Sequence, residues 1–117
     1  MLHLLLFSLA LLLIGCAKQP EIAAPPAVEQ APAVAAPSSA TIEISDFEFV
    51  PDTATIAVGG EITWVQRDSA PHTVKFDDVE SSRLSAGQSW SRRFDKPGSY
   101  RYICGVHPWM EGRVIVK

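Results

Sequence analysis

The chain has 117 residues, enough for one domain around a single core and too few for two. Apolar residues make up 47% and charged residues 20%, a globular balance, although these totals average over three unlike stretches. A net charge of −3 leaves no basic face dense enough to neutralise a run of phosphates, which argues against nucleic acid as a partner.

The first stretch, Leu4 to Ile14, is apolar throughout except for Ser8. That is the length of an export signal's core and falls short of the ~20 residues a helix needs to cross a bilayer. The run ends in Leu13-Ile14-Gly15-Cys16, which resembles a bacterial lipobox, where the cysteine becomes the first mature residue and carries the lipid. We therefore expect residues 1–15 to be a lipoprotein signal peptide and Cys16 to be the lipidation site. That places the chain on the periplasmic side of a bacterial membrane, with Ala17 favouring the outer membrane in a Gram-negative cell. Residues 17–40 follow with nine Ala, five Pro and no Gly. Proline removes backbone donors and alanine offers little to bury, so 16–40 reads as a disordered tether reaching at most about 75 Å when extended.

From Thr41 the texture changes to short alternating runs separated by turn residues, the signature of an antiparallel all-β domain over 41–117. Strands are expected at Thr41–Ile44, Thr55–Val58, Glu61–Val65, His72–Phe76, Gln88–Phe94, Ser99–Cys104 and Gly112–Lys117. Gly59-Gly60 permits a tight hairpin between the second and third, and Asp95-Lys96-Pro97-Gly98 a turn between the fifth and sixth. This pattern predicts a small Greek-key β-sandwich, since two sheets must cover each other's apolar faces. The expected core is Ile44, Phe49, Ile56, Val58, Ile62, Trp64, Val74, Phe94, Tyr100, Tyr102, Val114 and Val116. With Cys16 committed to lipid, Cys104 has no disulfide partner, so a bound metal is the staple open to so small a module.

The module holds two His, one Cys and one Met, namely His72, His107, Cys104 and Met110. Three of them lie in Cys104-Gly-Val-His107-Pro-Trp-Met110, at the end of one strand and in the loop after it. His72 stands at the start of another expected strand, and neighbouring strands of a sandwich can bring the two places to one pole. A thiolate and a thioether are soft donors that suit Cu(I), and imidazole suits both Cu(I) and Cu(II). A His₂Cys set with a weak Met therefore fits one copper ion in either valence, with little rearrangement between them. Closed structural zinc sites use Cys and His but rarely recruit Met. Singly, a buried Cys, a core Met or a His beside Pro is an ordinary structural residue; together they form a donor set.

The segments Glu61 to Phe76 and Phe94 to Lys117 resemble the cupredoxins, and most of all the amicyanin and plastocyanin group, over nearly all of 41–117. The two residues between His107 and Met110 match the short amicyanin loop. The resemblance implies a type 1 blue copper protein in which His72, His107 and Cys104 ligate copper and Met110 lies axially. It implies single-electron transfer through His107 at the surface, inside an apolar docking patch of Ala70, Pro71, Val106, Pro108 and Trp109. The partners implied are a redox donor and a redox acceptor, bound transiently by a monomer. Thr73 replaces the Asn that often braces the first ligand loop; a hydroxyl is expected to replace one of that amide's bonds and not its full set. An enzyme of the oxidase or nitrite reductase kind would need further His ligands, and a binuclear centre a second Cys near Cys104. A periplasmic copper carrier or store would use the same four residues.

Overall fold

The computed structural model describes Gly15 and residues 35–117. Cys16, the expected signal peptide apart from Gly15, and most of the expected tether lie outside the described residues. Seven strands follow in order: β1 (Ser39–Ser45), β2 (Glu48–Val50), β3 (Thr53–Ile56), β4 (Gly60–Gln66), β5 (Ser89–Phe94), β6 (Gly98–Ile103) and β7 (Glu111–Val116). They form a four-stranded sheet ordered β2-β1-β4-β5 and a three-stranded sheet ordered β3-β7-β6. Period-two alternation sends Ile42, Ile44, Phe49, Ile62 and Trp64 inward from the first sheet, and Ala54, Ile56, Tyr102, Val114 and Val116 inward from the second. All ten belong to one core, so the expected all-β sandwich is what forms.

Several elements differ from the sequence reading. The first strand begins at Ser39, inside the expected tether, because Pro37 and Ser38 already accept hydrogen bonds from Ala57 and Glu61. β2 is a strand that the sequence did not announce; at three residues it is too short to show alternation. Pairing is not antiparallel throughout: β1 runs parallel to β4 and β3 parallel to β7, because the chain visits the other sheet before it returns to each partner.

Gly59-Gly60 does make a tight turn, with the Gly60 N–H on the Ala57 carbonyl at 2.9 Å and Gly59 at a φ of 81°. It does not make a hairpin. β3 and β4 lie in different sheets, so this turn folds the chain from one layer to the other. Val58, expected in the core, follows the end of β3 at that turn and is 49% exposed. Tyr100 is half-buried at the edge of the core, whereas Ile42, Ala54, Phe76, Leu84, Cys104 and Met110 are buried and were not expected.

His72–Phe76 is not a strand. Residues 67–88 fold back on themselves through isolated bridges that pair His72 with Leu84, and Lys75 with both Glu80 and Ile103. Polar and turn residues crowd this segment, and Pro71 removes a ladder donor just where a strand would start. The Lys75–Ile103 bridge, closed by two backbone bonds of 2.8 and 3.0 Å, brings His72 beside Cys104.

Candidate metal centre

Cys104 follows the last residue of β6, and its loop closes tightly: the Met110 N–H reaches the His107 carbonyl at 2.9 Å and the Cys104 N–H reaches the Met110 carbonyl at 3.0 Å. These two bonds fix the spacing of Cys104, His107 and Met110, and the Met110 side chain is buried. His72 comes from the loop after β4, where Gln66 holds that loop from inside. The fully buried Gln66 amide donates to the Ala70 carbonyl at 2.6 Å and the Leu84 carbonyl at 3.2 Å, and its oxygen accepts the Asp68 N–H at 2.8 Å.

The three predicted strong donors meet. His72 Nδ1 lies 3.1 Å from His107 Nδ1, and Cys104 Sγ lies 3.7 Å from the first and 3.9 Å from the second. A point equidistant from these three atoms is about 2.1 Å from each, close to the lengths at which imidazole nitrogen (about 2.0–2.1 Å) and thiolate sulfur (about 2.3 Å) bind a metal ion such as zinc. Each histidine thus presents Nδ1 to the common point. The sulfur also faces two backbone donors, the N–H groups of Thr73 and His107, both at 3.4 Å. Donors aimed at the sulfur tune the potential of a metal bound to it.

Thr73 is buried, and its hydroxyl makes two bonds. It accepts the Gly105 N–H at 2.8 Å and donates to the Glu80 carboxylate at 2.9 Å. One residue therefore ties together the backbones beside both ligand segments. A Cβ at Gly105 would meet the Glu80 carboxylate and Thr73 Oγ1, so a larger residue there would have to displace them and disturb this link.

The residues expected to form a docking patch differ in exposure. Trp109 is 69% exposed and its ring lies 5.1 Å from the His107 ring, so it is a surface residue, while Trp64 is buried and Trp90 half-buried. Pro71 and Pro108 are exposed, and Ala70, Val106 and His107 are half-buried.

Phe47, Asp68, Gln66 and Glu80 were not foreseen. Phe47 packs edge-on against His72 at 5.2 Å and His107 at 5.1 Å. It sits with Asp46 in the turn between β1 and β2, where both residues have positive φ, 59° and 53°. A bulky residue rarely adopts that conformation, so the turn needs outside support. Asp68 supplies it: Oδ1 accepts the Asp46 N–H at 2.7 Å, Oδ2 accepts the Phe47 N–H at 2.9 Å, and Oδ2 also meets His72 Nε2 at 2.8 Å. Burial alone would raise the Asp68 pKa, but the Phe47 and Asp46 N–H groups and the His72 ring together hold it below the usual carboxylate value. The one sequence signal was an acidic residue four positions before a ligand.

A family profile described as a cupredoxin-like domain matches residues 5–116. The chain belongs to that family. Amicyanin-alpha of Methylorubrum extorquens is 36% identical over 98 residues, 78% of this chain and 79% of that protein. Among solved structures, a Cu(I) form of an amicyanin variant superposes with a TM-score of 0.66 at 25% identity, covering 68% of this chain and 83% of that one. A copper-containing nitrite reductase of Thermus scotoductus superposes with a TM-score of 0.63 at 28% identity, and there the match spans 22% of the larger chain. The donor triangle, the buried Met110 and this membership agree: His72, Cys104, His107 and Met110 form a type 1 copper site. Copper held there supplies a one-electron Cu(I)/Cu(II) couple.

Proposed function

We propose that this cupredoxin-like protein is a single-electron carrier, and not an enzyme, that exchanges electrons with its partners through His107. The observation that carries the reading is the asymmetry of the ligands. Cys104 and His72 are fully buried, while His107 reaches the surface between Trp109 and Phe47. A ligand at the surface inside an apolar patch lets a partner exclude water and approach closely. The partners are a redox protein donor and a redox protein acceptor, each docking transiently on a monomer over less than ~1,200 Å². The Leu13 to Cys16 motif and the Ala/Pro tether support attachment through a lipid on Cys16 at the periplasmic side of a bacterial membrane.

Electron self-exchange tests the reading. In a partly oxidised sample of the copper-loaded protein, NMR line broadening should report rapid exchange. Trp109→Asp should slow it at least about tenfold, because like charges then face each other across the contact, with the visible band retained. An unchanged rate would remove the patch from the pathway. Rapid loss of copper to a chelator would favour the rival reading of a copper carrier or store. Mass spectrometry of the mature N-terminus should find acyl chains on Cys16, and an unmodified terminus would dismiss the anchor.

A further inference from the structure

We propose that Asp68 is a positioning residue of the copper site: its carboxylate fixes the His72 tautomer that offers Nδ1 to the metal, and its charge biases the site toward Cu(II). The His72 ring is fully buried and both its nitrogens are engaged. Nδ1 faces Cys104 Sγ and His107 Nδ1, and Nε2 lies 2.8 Å from Asp68 Oδ2. A neutral imidazole carries one N–H and one lone pair, and an ionised carboxylate can only accept. The proton therefore sits on Nε2 and the lone pair on Nδ1, as a metal at the donor triangle requires.

The carboxylate itself is held in place. Besides His72 it accepts the Asp46 and Phe47 N–H groups, and the Asp68 backbone N–H is anchored on the buried Gln66 amide. A carboxylate fixed at three points cannot swing away to let the ring turn over. It also ties His72 to the strained turn that seats Phe47 against both ligand rings. Partners behind a metal-ligating imidazole set its orientation and basicity in this way.

The charge argument is separate from the orientation argument. With a thiolate ligand, the metal and sulfur together are neutral for Cu(I) and carry one positive charge for Cu(II). An anion one imidazole ring away, with a side chain only 12% exposed, stabilises the charged state more than the neutral one. Asp68 therefore lowers the reduction potential.

Voltammetry of the copper-loaded full chain tests both parts. Asp68→Asn keeps an oxygen that can accept from Nε2 and removes the charge; its visible band should persist and its potential should shift upward. Asp68→Glu keeps the charge and should stay nearer the parent potential than Asp68→Asn does. A visible band with an unmoved potential in Asp68→Asn would overturn the proposal. Should that variant fail to fold or to take up copper, the parent protein decides. In its Cu(I) form, long-range ¹H–¹⁵N correlation should show the His72 ring protonated at Nε2, and an Nε2 without its proton would sink the idea. The inference rests on the copper site and not on electron transport: a parent protein with no visible band refutes the copper assignment, whereas a coloured parent with an indifferent Asp68→Asn refutes only the role of Asp68.

Discussion

Thr73 joins the two ligand segments through a single oxygen, taking the Gly105 N–H and handing its own proton to Glu80. Thr73→Val keeps the shape and removes the acceptor of the Gly105 N–H, at a cost of about 0.5–1.5 kcal/mol. Denaturant unfolding of the metal-free form should register that loss, and Thr73→Ser should recover most of it. At the ligands the expectations concern colour and potential. Cys104→Ala removes the thiolate, so the intense visible band should vanish on addition of Cu(II). Met110→Gln exchanges a soft sulfur for a harder oxygen, which favours Cu(II), so voltammetry should find a lower potential. The four ligands were legible in the sequence because they are chemically rare: the module has no spare His, Cys or Met. Phe47, Asp68, Gln66 and Glu80 were not, since aromatic, acidic and amide residues occur throughout the chain and only folding places these four against the ligands.

Among the elements, β6 and β7 hold the ligand loop between them, and their register sets where Cys104 and Met110 emerge. Tyr102 stands opposite Gly112 in that pair, and a Cβ at position 112 would run into the Tyr102 ring. Gly112→Ala should therefore cost about 1–3 kcal/mol through overpacking. Calorimetry should show a fall in Tm of roughly 4–8 °C per kcal/mol in a module of this size. An unshifted Tm would mean that the two strands separate to make room at no cost. The strand periodicity of β1, β4 and β7 was readable because each buries one face and alternates cleanly. The segment after β4 was misread, since His72 to Phe76 alternates like a strand but finds only isolated bridges. Its geometry comes from Gln66 and the Lys75–Ile103 bridge, which are long-range contacts that no local pattern encodes.

For the molecule as a whole, two stability terms can be separated. Tyr102 is buried in the core, and its hydroxyl and the Trp64 N–H have no hydrogen-bond partners among the described residues. Burial raises the Tyr102 pKa well above its ordinary value of 10.0; the nearby Trp64 indole pulls slightly the other way without reaching bonding geometry, and Asp52 adds to the rise. Above pH 10.0 the unfolded chain loses this proton while the folded one keeps it. Stability is thus fully present below that pH and falls above it, by up to about 1.4 kcal/mol per pH unit. Tyr102→Phe should be close to neutral at pH 7 and should flatten the alkaline limb measured by denaturant titration. The second term is the metal. Copper that binds the native state alone should raise stability by about 2.7 kcal/mol at a hundredfold excess over Kd, and a chelator should reverse the gain in Tm.

The amino-acid sequence by itself determined the class of the fold and the identity of the ligands, because period-two burial and a scarce donor set are properties of local order and composition. It also carried the segments read as a leader and a tether. Only the tertiary structure decided which sheet each strand joins, which turn is an arch between layers, and which residues stand behind the ligands. Those choices depend on contacts between distant parts of the chain. Asp68 reaches Asp46 and Phe47 across more than twenty residues, and Thr73 reaches Gly105 across thirty-two. Such pairings exist only once the two sheets have closed on their common core.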